Sequence, residues 1–211
     1  MKSSIHSLPV KPGTFTRLIP INDGLAQAND KLSLVSGILF HVGGVPMHRC
    51  FSKYLEYWHS LARTDKIPPL TECFDKPDAQ IHPWLNIVDV DQESVQPIRF
   101  AGTQLIDYFG QDMTRANFLD LLSPQARPII QDSHRQIIQG PCGAFHESVC
   151  TTATGRKFEL QAMGLPLVRA NGLHCVAWLL EPRDTVAFGE VRVLVQRIIR
   201  WSWVDLGFGT P

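Results

Sequence analysis

His134 is the residue whose type and surroundings most suggest chemistry. With Ile130, Ile137 and Ile138 it falls at helical spacing, so all four side chains share one apolar helix face. An imidazole on such a face could ligate a metal or cofactor, or act as a general base. A core histidine hydrogen-bonded to backbone or water gives the same pattern. The spacing therefore marks His134 as a candidate without assigning it a role.

A second set of reactive groups lies on a predicted strand. Cys142, His146 and Cys150 are four residues apart, which places them on one strand face. They could form a thiol–imidazole pair or part of a metal site. Ligands from a single strand rarely complete a tetrahedral shell, so core-lining or surface roles are favoured. We predict no metal site here.

An acid–base enzyme would need a carboxylate beside one of these histidines. His134 or His146 could act as general base if Glu147, Glu159 or Asp132 lay within hydrogen-bond reach. The sequence has no nucleophile elbow, phosphate-binding loop, dinucleotide fingerprint or kinase signature. We therefore predict a non-enzymatic protein with no catalytic residues, and keep a small α+β enzyme as an alternative.

Composition and charge disfavour several classes of protein. The 211 residues include 20 basic and 20 acidic side chains, with 44% hydrophobic residues, as in ordinary globular proteins. No basic cluster interleaved with aromatics could follow a phosphate backbone, so we expect no nucleic acid partner. The five cysteines form no C-x-x-C, and the apolar stretch at 32–46 is short and interrupted by glycines. We expect a soluble, cytoplasmic protein with no membrane partner.

The elements that would position these residues follow from periodicity and turn signals. Apolar residues recur at helical spacing from Phe51 to Ala62, which predicts an amphipathic helix ending near Thr64. The further elements expected are strands at 84–90 and 97–101, short helices at 102–109 and 117–122, a longer helix at 123–139, and strands at 142–151, 157–168 and 173–181. Asn171-Gly172 is a strong hairpin signal between the last two strands. This order predicts an α+β domain with a five-stranded antiparallel sheet and helices on one face, preceded by an N-terminal helix.

Two extensions flank this domain, which we place at residues 49–182. Residues 1–46 show no sustained periodicity and are predicted to be a poorly ordered extension. The codons of Gly43-Gly44 would resemble a bacterial ribosome-binding site, so translation could begin at Met47. Residues 183–211 are predicted to be an interface or packing segment.

The C-terminal extension carries two conflicting patterns. Val191, Leu194, Val195 and Ile198 form a helical stripe, whereas the residues from Ile199 onward alternate as in a strand. We therefore leave residues 186–204 open between helix and strand.

One run of the sequence resembles a known fold family. The stretch IRFAGTQLIDYFGQDMTRANFLDLLSP, residues 98–124, is similar to the segment of PAS domains in which the second strand enters short helices. The span from LEYWHSLA to AWLLEP, about two thirds of the chain, resembles a group of stand-alone bacterial PAS-like proteins. Arg115-Ala116 depart from the small residue or glycine that commonly follows the linker threonine. The resemblance implies a sensory or regulatory module in signal transduction, usually dimeric, that can enclose a small ligand.

The resemblance also implies a ligand pocket, with the cofactor left unknown. Its candidate lining residues are Phe118, Ile130, His134, Met163 and Trp178. In haem-binding PAS proteins an axial histidine can come from the helix that carries His134, so a haem sensor is an alternative. A flavin photosensor would carry a cysteine where this chain has ANFLDLL, so adduct photochemistry is disfavoured.

Three tryptophans are candidates for a partner interface. Trp58 lies on the first helix, and Trp201 and Trp203 lie in the C-terminal extension. We expect a homodimer, a protein partner, or both, with the module acting in trans on another protein.

Overall fold

The computed structural model describes residues 40–42, 45–183 and 193–211. The strands are β1 (Phe40–Val42), β2 (Val45–Met47), β3 (Leu85–Asp89), β4 (Ile98–Ala101), β5 (Gly143–Thr151), β6 (Lys157–Val168), β7 (His174–Pro182) and β8 (Leu194–Val204). The helices are α1 (Arg49–Ser60), α2 (Leu70–Asp75), α3 (Thr103–Phe109) and α4 (Arg127–Gln139), with 3₁₀ helices at His82–Trp84 and Phe118–Leu121. None of the helices in these ranges has both the length and the hydropathy needed to cross a bilayer.

The predicted α+β class is confirmed, and the sheet gains a strand. Six antiparallel strands are arranged in the order β4-β3-β7-β6-β5-β8, so the two predicted halves join through the β3–β7 pair. The sixth strand, β8, comes from the C-terminal extension and pairs with β5. The sequence patterns left residues 186–204 open between helix and strand. In the structure, residues 194–204 form a strand.

The predicted N-terminal extension lies mostly outside the described residues. At its C-terminal end, β1 and β2 pair as a two-stranded antiparallel hairpin, in which Phe40 opposes Met47. Residues 40–42 and 45–47 are thus paired strands, and the expected poor order of the rest of 1–46 stays a prediction. A translation start at Met47 stays a prediction.

One face of the sheet is covered by α1. The buried stripe of this helix packs on β6 and β7, and two of its side chains bond to backbone carbonyls. Tyr54 Oη donates to Ala177 O at 2.7 Å, and Trp58 Nε1 donates to Pro166 O at 2.8 Å. Trp58, expected at a partner interface, is instead 1% exposed, because its ring fills the core and its one polar atom is already bonded.

The opposite face is covered by residues 102–142, the helical segment between β4 and β5. Leu105, Tyr108 and Phe109 of α3 and Ile137 of α4 pack with inward side chains of the sheet, among them Trp178. The chain enters α3 through Gly102, where an added Cβ would lie 2.3 Å from His82 O. A glycine is therefore required where the start of α3 crosses the 3₁₀ helix His82–Trp84.

Two β-bulges shape β8. Its register with β5 shifts by one residue between Glu147 and Ser148 and again between Val149 and Cys150. The bulges let Val195, Ile198 and Trp201 all pack toward the helical segment, although they are three residues apart.

Candidate functional site

A hydrogen-bonded chain of buried side chains runs from the sheet through α4. Trp178 on β7 donates its Nε1–H to His134 Nε2 at 3.0 Å, and His134 Nδ1 lies 2.9 Å from Gln96 Oε1. Gln96 and His134 are both buried. Because Trp178 can only donate, His134 Nε2 must accept, and the imidazole proton therefore resides on Nδ1 and is donated to Gln96.

This chain continues into the segment that covers the sheet. Gln96 N donates to Asn117 Oδ1 at 3.0 Å, and Phe118 N donates to Gln96 O at 2.9 Å. Asn117 also caps the 3₁₀ helix Phe118–Leu121 by accepting from Leu119 N. The position of that helix is therefore fixed to the centre of the sheet through polar contacts.

His146 on β5 places a second imidazole beside Trp178. Its ring stacks on Trp201 at a centroid distance of 5.7 Å and meets the edge of Trp178 at 5.2 Å. Burial lowers the pKa of His146 to about 3, and burial together with His146 lowers the pKa of His134 to about 3. Both imidazoles are therefore neutral near pH 7.

An apolar cavity of about 40 Å³ lies between these groups and the helical segment. Its lining residues are mainly apolar, and they come from the sheet, α3, α4 and the start of β8; among them are Phe109, Phe118, Ile130, Leu160, Trp178 and Val195. Asn86 and His146 also line it. Asn86 Oδ1 and His146 Nδ1 are buried and have no hydrogen-bond partner. Two residues that line one apolar space thus each carry a buried polar atom without a partner.

The predicted pocket residues divide into three groups. Phe118, Ile130 and Trp178 line the cavity. His134 is not among the lining residues, and it contacts the rings of Phe118 and Trp178. Met163 is a correction to the predicted pocket, because it faces the opposite side of the sheet, in the core beneath α1.

Local sequence patterns do not single out Asn86, and they indicate His146 only as a metal ligand, a thiol partner or a general base. The available signal is an asparagine between the apolar residues Leu85 and Ile87 in β3. A polar side chain facing a core needs a partner, and at Asn86 Oδ1 the protein supplies none.

A haem does not fit the site as it stands. Both nitrogens of His134 are hydrogen-bonded, so neither is free for an iron atom. The cavity of about 40 Å³ has room for only a few non-hydrogen atoms, far below the volume of a haem or flavin. The cavity lining also contains no cysteine.

The carboxylates expected beside a general base lie elsewhere. Glu147 accepts from Gln161 Nε2 at 2.6 Å and pairs with Arg200, while Asp132 pairs with Arg135. Glu159 is exposed. Within the described ranges, neither His134 nor His146 forms a bond to a carboxylate.

The remaining tryptophans pack back on the domain. Trp201 and Trp203 are each partly exposed and contact one another edge to face at 5.4 Å. Both join the core cluster under the helical segment.

Comparison with known proteins identifies the fold family. A family model described as PAS domain matches residues 47–177. The chain belongs to the PAS domain family. PAS domains are generally sensory modules without catalytic activity, and the resemblance inferred from the sequence is confirmed.

One solved structure similar to this PAS domain is a fungal LOV domain photoreceptor. The two share 16% sequence identity with a TM-score of 0.41, over 62% of this chain and 90% of that chain. A search of curated proteins gave no match.

Proposed function

We propose that this PAS domain is a sensory module that recognises a small neutral molecule in the cavity between the sheet and the helical segment. The observation that carries the proposal is the pair of buried atoms without partners, Asn86 Oδ1 and His146 Nδ1, in residues that line the same apolar space. A buried polar group without a partner costs about 1–3 kcal/mol, which a ligand with matching groups would recover.

The lining of the cavity favours a ligand of a particular kind. Asn86 Oδ1 accepts a hydrogen bond, and the neutral imidazole of His146 has one donor and one acceptor nitrogen. A charged ligand would lose its hydration without gaining a counter-charge, because the lining is apolar and the imidazole stays neutral. The volume selects a molecule of few non-hydrogen atoms, or the end of a longer one that displaces the 3₁₀ helix Phe118–Leu121.

The polar chain offers a route by which binding could alter the surface. A ligand contacting Trp178 or Phe118 would change the preferred position of the 3₁₀ helix, which Gln96 and Asn117 tie to His134. The ligand shifts this equilibrium only by its difference in affinity for the two positions. We propose that the altered state is passed in trans to a second copy or another protein, with the partly exposed edges of Trp201 and Trp203 in the contact.

Nuclear magnetic resonance of the Trp178 indole tests the proposed site. Its Nε1–H is buried and bonded to His134, so its resonance should shift when a small neutral amide, alcohol or ketone enters the cavity. His146→Phe keeps an aromatic ring against Trp201 but removes both nitrogens, and should weaken binding by about tenfold, which corresponds to one lost hydrogen bond. His59→Gln, an exposed change on α1, is the matched control.

Native mass spectrometry of tag-free protein, purified without added cofactors, tests the same proposal independently. A retained small mass that is lost in His146→Phe supports a ligand site, and the same spectrum reports whether the protein is dimeric. A screen of such fragments that leaves the Trp178 resonance unmoved, together with no retained mass, would contradict the proposed sensory site.

A further inference from the structure

We propose that His48, Cys50 and Glu181 form a binding site for a divalent transition metal of the zinc type. His48 is the N-cap of α1, Cys50 lies in the first turn of α1, and Glu181 lies near the end of β7. Among the described residues, this is the group of three potential ligands whose donor atoms all lie within 4.8 Å of one another. It lies on the α1 side of the sheet, and none of its members lines the ligand cavity.

The distances match a site that is nearly formed. Cys50 Sγ is 3.8 Å from Glu181 Oε2, and His48 Nδ1 is 3.9 Å from Glu181 Oε1. Ligand atoms around tetrahedral zinc are about 3.4–3.6 Å apart, given metal–ligand lengths of about 2.0–2.3 Å. Since the three donor atoms all lie within 4.8 Å of one another, the side chains need to approach by at most about 1.3 Å to surround a metal. Rotation of the exposed His48 supplies this movement, and it breaks the 3.4 Å hydrogen bond that His48 Nδ1 accepts from Cys50 N.

The charges of the three ligands suit a half-buried divalent cation. A thiolate and a carboxylate together carry two negative charges, and the imidazole is neutral, so the complex with a divalent metal has no net charge. The Cys50 thiol loses its proton to solvent as the metal binds. A mixed set of sulfur, nitrogen and oxygen ligands favours zinc over magnesium or calcium, which prefer oxygen ligands alone.

The exposure of the site leaves room for a further ligand. His48 is exposed and Cys50 is partly exposed, whereas the other four cysteines are buried. Three protein ligands leave the fourth tetrahedral position to water or to an exchangeable group. Because the ligands come from α1 and β7, a bound metal would also fasten the N-terminus of α1 to the sheet.

Titration of tag-free protein with Zn²⁺ and Co²⁺ tests this inference. After treatment with a chelator and dialysis, calorimetry should give one Zn²⁺ per chain, and Co²⁺ should produce thiolate-to-metal absorption and visible bands of tetrahedral geometry. Cys50→Ser and Glu181→Gln should each weaken Zn²⁺ binding by more than tenfold, since loss of even an outer-shell partner costs about 10- to 100-fold. His59→Gln, which removes an exposed histidine from the same helix, should bind as the wild type does.

Protection of the thiol gives a second readout that needs no variant. Cys50 should react first with a thiol reagent, and Zn²⁺ should slow that reaction at least tenfold. Equal Zn²⁺ binding by wild type and Cys50→Ser, a Co²⁺ spectrum without thiolate absorption, or unchanged Cys50 reactivity in Zn²⁺ would each overturn the proposal. The Trp178 resonance used for the ligand cavity should not move with Zn²⁺, so the two proposals fail separately.

Discussion

At the scale of single residues, two histidines kept neutral inside the domain are its most unusual feature. His134 and His146 are both buried and both contact the ring of Trp178, and burial lowers the pKa of each to about 3. In the unfolded chain the same side chains accept protons below about pH 6.5. The folded state therefore binds fewer protons than the unfolded state between about pH 6.5 and 3.

This difference predicts that the domain loses stability as the pH falls below about 6.5. Each histidine should lower the free energy of unfolding by up to about 1.4 kcal/mol per pH unit below that point. Above pH 7 both states hold the neutral imidazole, so the two histidines should add no pH dependence there. Urea midpoints measured between pH 8 and pH 5 would show the effect, and His146→Phe should reduce the slope. A midpoint that stays level from pH 7.5 to pH 5 would contradict the neutral, buried state of both rings.

Sequence reasoning could place His134 but could not find its partners. Helical spacing alone puts the imidazole toward the sheet. Gln96 and Trp178 lie 38 and 44 residues away in the chain, and no local pattern brings them together. The buried Asn86 can be suspected from its place between Leu85 and Ile87, whereas the cavity beside it depends on how α4 and β8 pack.

At the scale of elements, strands and helices were predicted closely where local signals agree with the tertiary packing. The predicted strand at 157–168 has the same bounds as β6, and Asn171-Gly172 does form a turn with Gly172 at a positive φ of 80°. The ambiguity in the C-terminal extension also has a physical cause. Each bulge in β8 inserts one residue, which turns the two-residue period of a strand into the three-residue spacing of Val195, Ile198 and Trp201. Val195 and Ile198 are also members of the apolar stripe that resembles a helix in the sequence.

The two glycines at the ends of α3 and α4 should respond differently to substitution. Gly102→Ala places a Cβ against the backbone of His82 and Pro83, so we expect a loss of about 1–3 kcal/mol in the free energy of unfolding. Gly140→Ala meets nothing closer than 4.0 Å at an ordinary φ of −123°, so we expect a change within about 0.5 kcal/mol. Denaturant unfolding of the two variants side by side would test this, and equal losses would refute the close crossing at Gly102.

At the scale of the whole molecule, β8 completes the sheet and closes one side of the cavity. It pairs with β5 along its length, and Val195 lines the cavity. The buried Val204 and Leu206 extend the core beneath α1. The C-terminal extension thus packs on the domain, which the sequence left as an alternative to an interface.

Removing residues 184–211 should therefore destabilise the protein and promote self-association. The deletion would expose the backbone edge of β5 and the apolar surface that β8 covers. Size-exclusion chromatography with light scattering should show aggregates or a molar mass several times that of the full chain. A chain ending at Leu206 is the control, because residues 207–211 are exposed, and its behaviour should match the full chain. A monodisperse, cooperatively folding 1–183 fragment would contradict this role of β8.

The chain of bonds through Trp178, His134 and Gln96 has a consequence for how such a protein can evolve. Each hydrogen bond has a fixed direction. The indole of Trp178 can only donate, and the neutral imidazole of His134 accepts at Nε2 and donates from Nδ1 to Gln96 Oε1. Loss of the indole would leave Nε2 without a donor, and loss of the amide oxygen would leave Nδ1–H without an acceptor. Related sequences are therefore expected to change these three positions together, replacing the trio by apolar residues or keeping all of it.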